Sequence, residues 1–276
     1  KTKVIGVILP KIVHHFFSTV IKGIEHGANE KGYHIMVCFS NESYKKEVET
    51  LKVLSNGSVD GIIVSIASET LENKDFNHFK ELVSEEIPLV LFDRVQDSIL
   101  CDKVVVDDVG AGYKATQHLV DQGRKKIAMI STKEHISVGY LRKQGYLKSL
   151  KENGLSTNED LVLEIDEKED ERKQISSIFN RDFDAIFAVN EIYAAMAIQA
   201  AKERNIRVPE DVSVVGFTDG LISEYSSPSI TAVVQHGFTM GKQAVELLID
   251  RIENEGDTLP ARTKVISSNI HIRESS

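Results

Sequence analysis

Ten short apolar runs punctuate the chain: Val4–Leu9, His34–Ser40, Gly61–Val64, Pro88–Phe92, Val104–Val106, Ile127–Ile130, Leu161–Ile165, Ala185–Val189, Val212–Gly216 and Thr231–Val234. Several, such as Val-Ile-Gly-Val-Ile-Leu at 4–9 and Pro-Leu-Val-Leu-Phe at 88–92, are apolar nearly throughout, which predicts parallel strands covered on both faces. Between the runs the period changes. Phe17, Val20, Ile21, Ile24 and Ala28, and later Phe238, Gly241, Val245, Leu248 and Ile252, each trace one buried stripe of a helix. Gly32, Gly123 and Gly154 follow polar helix ends and are placed to cap them in the left-handed conformation. Strand and helix thus alternate as in right-handed βαβ units. Ten strands exceed one small doubly wound sheet, so two parallel sheets are expected. The polar stretch Asp97–Lys103 is the expected first crossing between them.

Composition narrows the function classes. The 276 residues, 41% hydrophobic and 27% charged with five prolines, describe an ordinary globular chain with no low-complexity segment. A balance of 33 basic against 42 acidic side chains, net −9, repels a phosphate backbone, so DNA binding by this chain itself is not expected. Cys38 and Cys101 are the two cysteines, with no CxxC pair, which suggests core thiols rather than a zinc site or disulfide framework. No run approaches the roughly 20 apolar residues of a membrane span, and a cytoplasmic location is expected.

In open α/β sheets ligands bind beyond the carboxyl ends of the strands. The residues following each run are therefore the candidates: Phe16-Phe17 after the first, Asp93-Arg94 after the fourth, Asp107-Asp108 after the fifth and Arg142 after the sixth. Asn190-Glu191 and Thr218-Asp219 follow the eighth and ninth. Carboxylates, an amide, guanidinium forks and an aromatic ring suit a polyhydroxylated ligand. Asp107, Asp108, Asn190 and Asp219 are equally suited to capping helices. Of the adjacent phenylalanines, one is free to pack inward while the other faces a ligand. His14-His15 lacks a nearby third metal ligand. Gly110-Ala111-Gly112 lacks the third glycine of a dinucleotide fingerprint, and GxxxxGK, GxSxG and HExxH are absent. Neither an enzyme nor a cofactor is expected.

The chain resembles the core of the lactose/galactose-repressor (LacI-GalR) family from end to end. The resemblance rests on Val4–Pro10 with Phe16-Phe17 and Gly23-Ile24-Glu25, on Val59–Ile63, and above all on Arg207–Phe217 followed by Pro228–Thr231 and Gln235. It implies an α/β fold of two flavodoxin-like lobes of the periplasmic-binding-protein type I, parallel sheets flanked by helices and joined by three crossovers. The lobes would comprise 1–104 with 235–264, and 105–234 with 265–276, with an effector cleft between them. It also implies a homodimer and a transcriptional repressor whose operator DNA is bound by an N-terminal helix-turn-helix not visible in this chain. Carried over by position, Phe16 resembles the ring that stacks on ligand, Asp93 and Arg94 a wall of the site, Arg142 the effector-anchoring arginine and Asn190 its paired asparagine. Asp107 and Phe187 are further candidates.

Two departures bear on the ligand. Thr218 stands where the family usually has an effector-binding Asp, and Asp219 follows one residue later. The loop before Phe16 is Lys11-Ile12-Val13-His14-His15, bulkier and more basic than usual. With Arg94 and Arg142 it points to a sugar phosphate or sugar acid as readily as to a sugar. The alternative reading is a periplasmic sugar-binding protein of a transport system, and a remoter one is a sugar or nucleoside hydrolase.

Overall fold

A computed structural model describes residues 1–11, 15–254 and 260–276. The chain opens with β1 (Val4–Leu9), α1 (His15–Glu30), β2 (His34–Phe39), α2 (Tyr44–Ser55) and β3 (Gly61–Val64). There follow α3 (Ser68–Asn73), α4 (Asn77–Ser84), β4 (Leu89–Phe92) and β5 (Asp102–Val106). The middle of the chain forms α5 (Asp108–Asp121), β6 (Ile127–Thr132), α6 (Ser137–Glu152), β7 (Val162–Ile165), α7 (Glu171–Ser177) and β8 (Ala185–Ala188). It continues through α8 (Glu191–Glu203), β9 (Ser213–Phe217), α9 (Leu221–Tyr225) and β10 (Thr231–Val234). The end forms α10 (Gly237–Glu253), β11 (Thr263–Ile266) and β12 (Asn269–His271).

Two compact units result, Lys1–Val106 with His236–Ile266 and Asp107–Gln235 with Ser267–Ser276. The first holds a sheet of order β11-β5-β4-β3-β1-β2, every pairing parallel. The second holds β12-β10-β9-β8-β6-β7, parallel except where β12 runs against β10. Every residue of β3, β4 and β8 is buried, as expected of strands covered on both faces. In the first unit Leu51 and Leu54 of α2, Leu71 of α3 and Phe79 of α4 pack on Ile62, Val64 and Leu91 in one cluster. Each such side chain contributes about 1.5–3 kcal/mol of burial.

The glycine caps take the anticipated form. Gly32 sits at φ 71, its N–H on Asn29 O and the Tyr33 N–H on Ala28 O, and Gly123 and Gly154 repeat the arrangement. Three expectations are corrected. Asp97–Lys103 does not cross between units: Ile99 and Cys101 are buried, and Lys103 Nζ donates to the carbonyls of Ile99 (2.7 Å) and Cys101 (3.3 Å), so its polarity is satisfied internally. The chain passes between units at Val106 and Asp107 instead. Phe238, placed on the buried stripe by periodicity, is 39% exposed, and Met240 and Ala244 take the inward face. Two strands, β11 and β12, lie outside the ten runs; both are short and mostly exposed, so no apolar run announces them.

Helix close approach is built the same way in both units. α1 crosses α10 where a Cβ on Gly23 would overlap the Phe238 carbonyl oxygen and one on Gly241 would overlap that of Val20. α5 crosses α6 where Gly112 faces the carbonyl of Arg142 and Gly145 that of Val109. The second crossing places Arg142.

Candidate ligand-binding site

In the second unit Arg142, carried by α6, contacts Asp108, Val189 and Phe217, which adjoin the candidates Asp107, Asn190 and Thr218 in sequence. Its Nε donates to Asp108 Oδ1 (2.8 Å) and its Nη1 to the Val189 carbonyl (2.9 Å), and its guanidinium carbon lies 3.7 Å from the centre of the Phe217 ring. These contacts tie α6 to the N-terminus of α5 and to the carboxyl ends of β8 and β9. Side-chain exposure is 7% for Arg142 and 3% for Asp108, so the pair is desolvated and its charges compensate each other. The first turn of α5 also favours an anion.

The two neighbouring aspartates divide the work. Asp107 caps α5, accepting the Gly110 N–H (2.9 Å), while Asp108 takes the arginine. Asn190 caps α8 through Oδ1, which accepts the Tyr193 N–H (2.7 Å). It adjoins Val189, so cap and arginine meet at one strand end. Phe187 lies inside β8, fully buried, with its ring 6.4 Å from Phe217, where it supports the ring under Arg142.

Thr218 adopts φ 79, donates its N–H to Val233 O (2.9 Å) and its hydroxyl to Gln235 Oε1 (2.6 Å). Asp219 accepts from His271 (3.0 Å) and pairs with Arg273, whose Nη1 reaches the Ile230 carbonyl (3.0 Å). Burial pushes the Asp219 carboxyl up, but these hydrogen bonds and the Arg273 charge hold it below its ordinary value. It therefore fastens the segment around β12 to the β9–α9 turn. Glu191, a candidate by its place after the eighth run, is buried; its Oε2 accepts the Ser223 N–H (3.2 Å), and the single Ser223 hydroxyl proton is shared between Glu191 Oε2 (3.3 Å) and Thr218 O (3.0 Å).

In the first unit Asp93 adopts φ 59 and its N–H donates to Val104 O (3.0 Å). Arg94 Nη1 bridges both oxygens of Glu42, at 2.7 and 3.0 Å, and the Ser68 N–H adds a bond of 2.7 Å to Glu42 Oε2. Burial pushes the Glu42 carboxyl up, while the charge and hydrogen bonds of Arg94, the Ser68 N–H and the Lys11 charge bring it below its ordinary value. Glu42 precedes α2 and was not a sequence candidate; 52 positions separate it from its partner. Phe16 and Phe17 are both buried, with rings 5.3 Å apart, and Phe17 is the one that packs edge-on against Phe92. His15 opens α1 rather than lying in a loop. Of the Lys11–His15 segment, Ile12, Val13 and His14 lie outside the described residues.

The expectation of an anionic ligand rested on the basic Lys11–His15 loop together with Arg94 and Arg142, and it is the two arginines whose partners are visible. Both are held by carboxylates, Glu42 and Asp108. Among the described residues no group of three or more His, Cys, Asp or Glu side chains could hold a metal ion, and no helix is long and apolar enough to cross a membrane.

Comparison with known proteins places this geometry. The periplasmic binding protein-like domain family matches residues 116–276. The HTH-type transcriptional regulator DegA of Bacillus subtilis is 31% identical over 245 residues, covering 88% of this chain and 72% of that protein. The HTH-type transcriptional repressor PurR of Pasteurella multocida is 32% identical over 260 residues, covering 93% and 76%. A solved complex of the transcriptional regulator CelR with cellobiose superposes with a TM-score of 0.89 at 26% identity, covering 100% of this chain and 85% of that one.

Proposed function

Because the chain belongs to the lactose/galactose-repressor (LacI) family of transcriptional regulators, we propose that it binds a small sugar or sugar derivative and that binding alters the regulator's affinity for operator DNA. The observation that carries this reading is the buried Arg142–Asp108 pair at the carboxyl ends of β8 and β9, with Asn190 beside it. A guanidinium fork beside a carboxylate offers donors and acceptors in one plane, as vicinal hydroxyls require. In the second unit Arg142 anchors the ligand and Asn190 uses the amide nitrogen that its cap leaves unused. Asp107, Thr218 and Asp219 flank them, and Phe187 acts through Phe217. In the first unit Phe16, Asp93 and Arg94 contribute.

The cellobiose bound by CelR supports a sugar as the ligand, and the naming of relatives above 30% identity as transcriptional regulators supports regulation over delivery to a transporter. The chain acts as a cytoplasmic homodimer that binds without turnover. Effector and operator affinities are then reciprocally linked.

A melting-temperature screen over sugars tests the reading, since a ligand at 100 times its Kd stabilises by about 2.7 kcal/mol. At least one sugar is expected to raise Tm, and Asn190→Ala to reduce that rise. A panel with no rise overturns sugar binding, and an unchanged rise in Asn190→Ala overturns this placement of the site.

A further inference from the structure

We propose that Asp108 and Glu42 are specificity residues that reserve Arg142 and Arg94 for uncharged, polyhydroxylated ligands and disfavour sugar phosphates and sugar acids. The inference rests on the sugar-binding reading above and concerns what the same residues exclude.

Each arginine meets a carboxylate before it meets a ligand. Asp108 Oδ1 lies 2.8 Å from Arg142 Nε, and Glu42 Oε2 lies 2.7 Å from Arg94 Nη1. An anion approaching either guanidinium is attracted by one charge and repelled by another a few ångströms away, so the pair acts on it as a dipole rather than as a cation. Around Arg142 the balance tips further, because Asp107 adjoins Asp108 at the N-terminus of α5 and Glu191 follows Asn190 at the N-terminus of α8. In the first unit Lys11 acts on Glu42 as well, and Asp93 adjoins Arg94, so there two cations and two carboxylates roughly cancel rather than becoming negative.

A hydroxyl is both donor and acceptor, so a diol takes a hydrogen bond from the guanidinium and gives one to the carboxylate. A phosphate or carboxylate only accepts. It would leave the acidic half of each pair opposed to its own charge.

Calorimetry and thermal shift on the full chain separate the possibilities, with ribose, glucose and cellobiose set against their phosphates and glucuronate. The wild-type protein should bind at least one uncharged sugar at least tenfold more tightly than its anionic derivative. Asp108→Asn keeps an acceptor for Arg142 Nε and removes the charge; it should narrow that ratio about tenfold or invert it. Glu42→Gln should narrow it less, and it carries the test if Asp108→Asn does not fold. Anionic derivatives bound as tightly as the uncharged sugars, or a wild-type ratio retained in the folded variants, overturns the proposal and leaves sugar binding standing. A chain stabilised by neither class overturns the sugar-binding reading and this inference with it.

Discussion

In the first unit the chain leaves β4 through Asp93 at φ 59, and in the second it leaves β9 through Thr218 at φ 79. Each gives its N–H to the next strand of its sheet, at Val104 and Val233. Each follows a buried phenylalanine, Phe92 or Phe217, and each precedes a charged residue. The backbone is the same; the charges are reversed. Arg94 turns to an acid from the turn before α2, whereas Asp219 turns to bases in and after β12. Topology therefore dictates the left-handed turn, while the side chains mounted on it are free to differ. The largest contrast lies one step away, since the second unit carries the enclosed Arg142–Asp108 pair and the first carries the more open Arg94–Glu42 pair, with 16% of the Glu42 side chain exposed.

Removing one arginine from each unit gives the largest expected effect. Arg142→Ala removes the guanidinium from a carboxylate that is 3% exposed, and losing one partner of a buried pair costs about 3–5 kcal/mol. Arg94→Ala leaves a carboxylate that water and Lys11 still reach, so its cost should be smaller. Urea unfolding measures both, and equal losses would show that the two pairs are energetically alike. The glycine crossings come next. Gly23→Ala and Gly145→Ala each drive a methyl into a facing carbonyl, of Phe238 and Val109, and overpacking of this kind costs about 1–3 kcal/mol. Similar losses are expected in the two units, and a loss confined to one would break the equivalence.

That equivalence was only half legible in the sequence. The ten apolar runs give the parallel strands of both sheets because strands buried on both faces are apolar throughout. β11 and β12 escape because an edge strand facing water needs no such run. Asp97–Lys103 reads as a crossing because polarity suggests exposure, yet Lys103 buries its ammonium against two carbonyls. Arg142 and Asn190 were legible from resemblance and position. Glu42 was not, since nothing local marks an acid that meets its arginine 52 residues later. The pair Asp107-Asp108 was legible as a pair only; which carboxylate caps and which binds Arg142 follows from the start of α5.

The left-handed residues themselves provide a smaller test. Glycine takes positive φ without the steric cost of a Cβ, which for other residues is roughly 1–2 kcal/mol. Asp93→Gly relieves this and keeps its backbone bond to Val104, but it gives up whatever its buried carboxyl holds. Thr218→Gly relieves a β-branched residue but also loses the hydroxyl bond to Gln235, worth about 1 kcal/mol, so the two effects nearly offset. A clear rise in Tm for Thr218→Gly would show that the Gln235 bond contributes little.

The smallest expected effects appear in acid. The carboxyls of Glu42 and Asp219 are both held below their ordinary values. Each therefore contributes stability that is present above its unfolded pKa, roughly 4, and lost as pH falls through that value toward the folded one. Their side chains are 16% and 20% exposed, so comparable losses are expected although one pairs with an arginine across its unit and the other with residues near the chain's end. Glu42→Gln and Asp219→Asn should each flatten the fall in unfolding midpoint between about pH 5 and about pH 3. If only Glu42→Gln flattens it, Asp219 holds its turn by geometry rather than by charge, and the reversal of sign between the units carries no energetic weight.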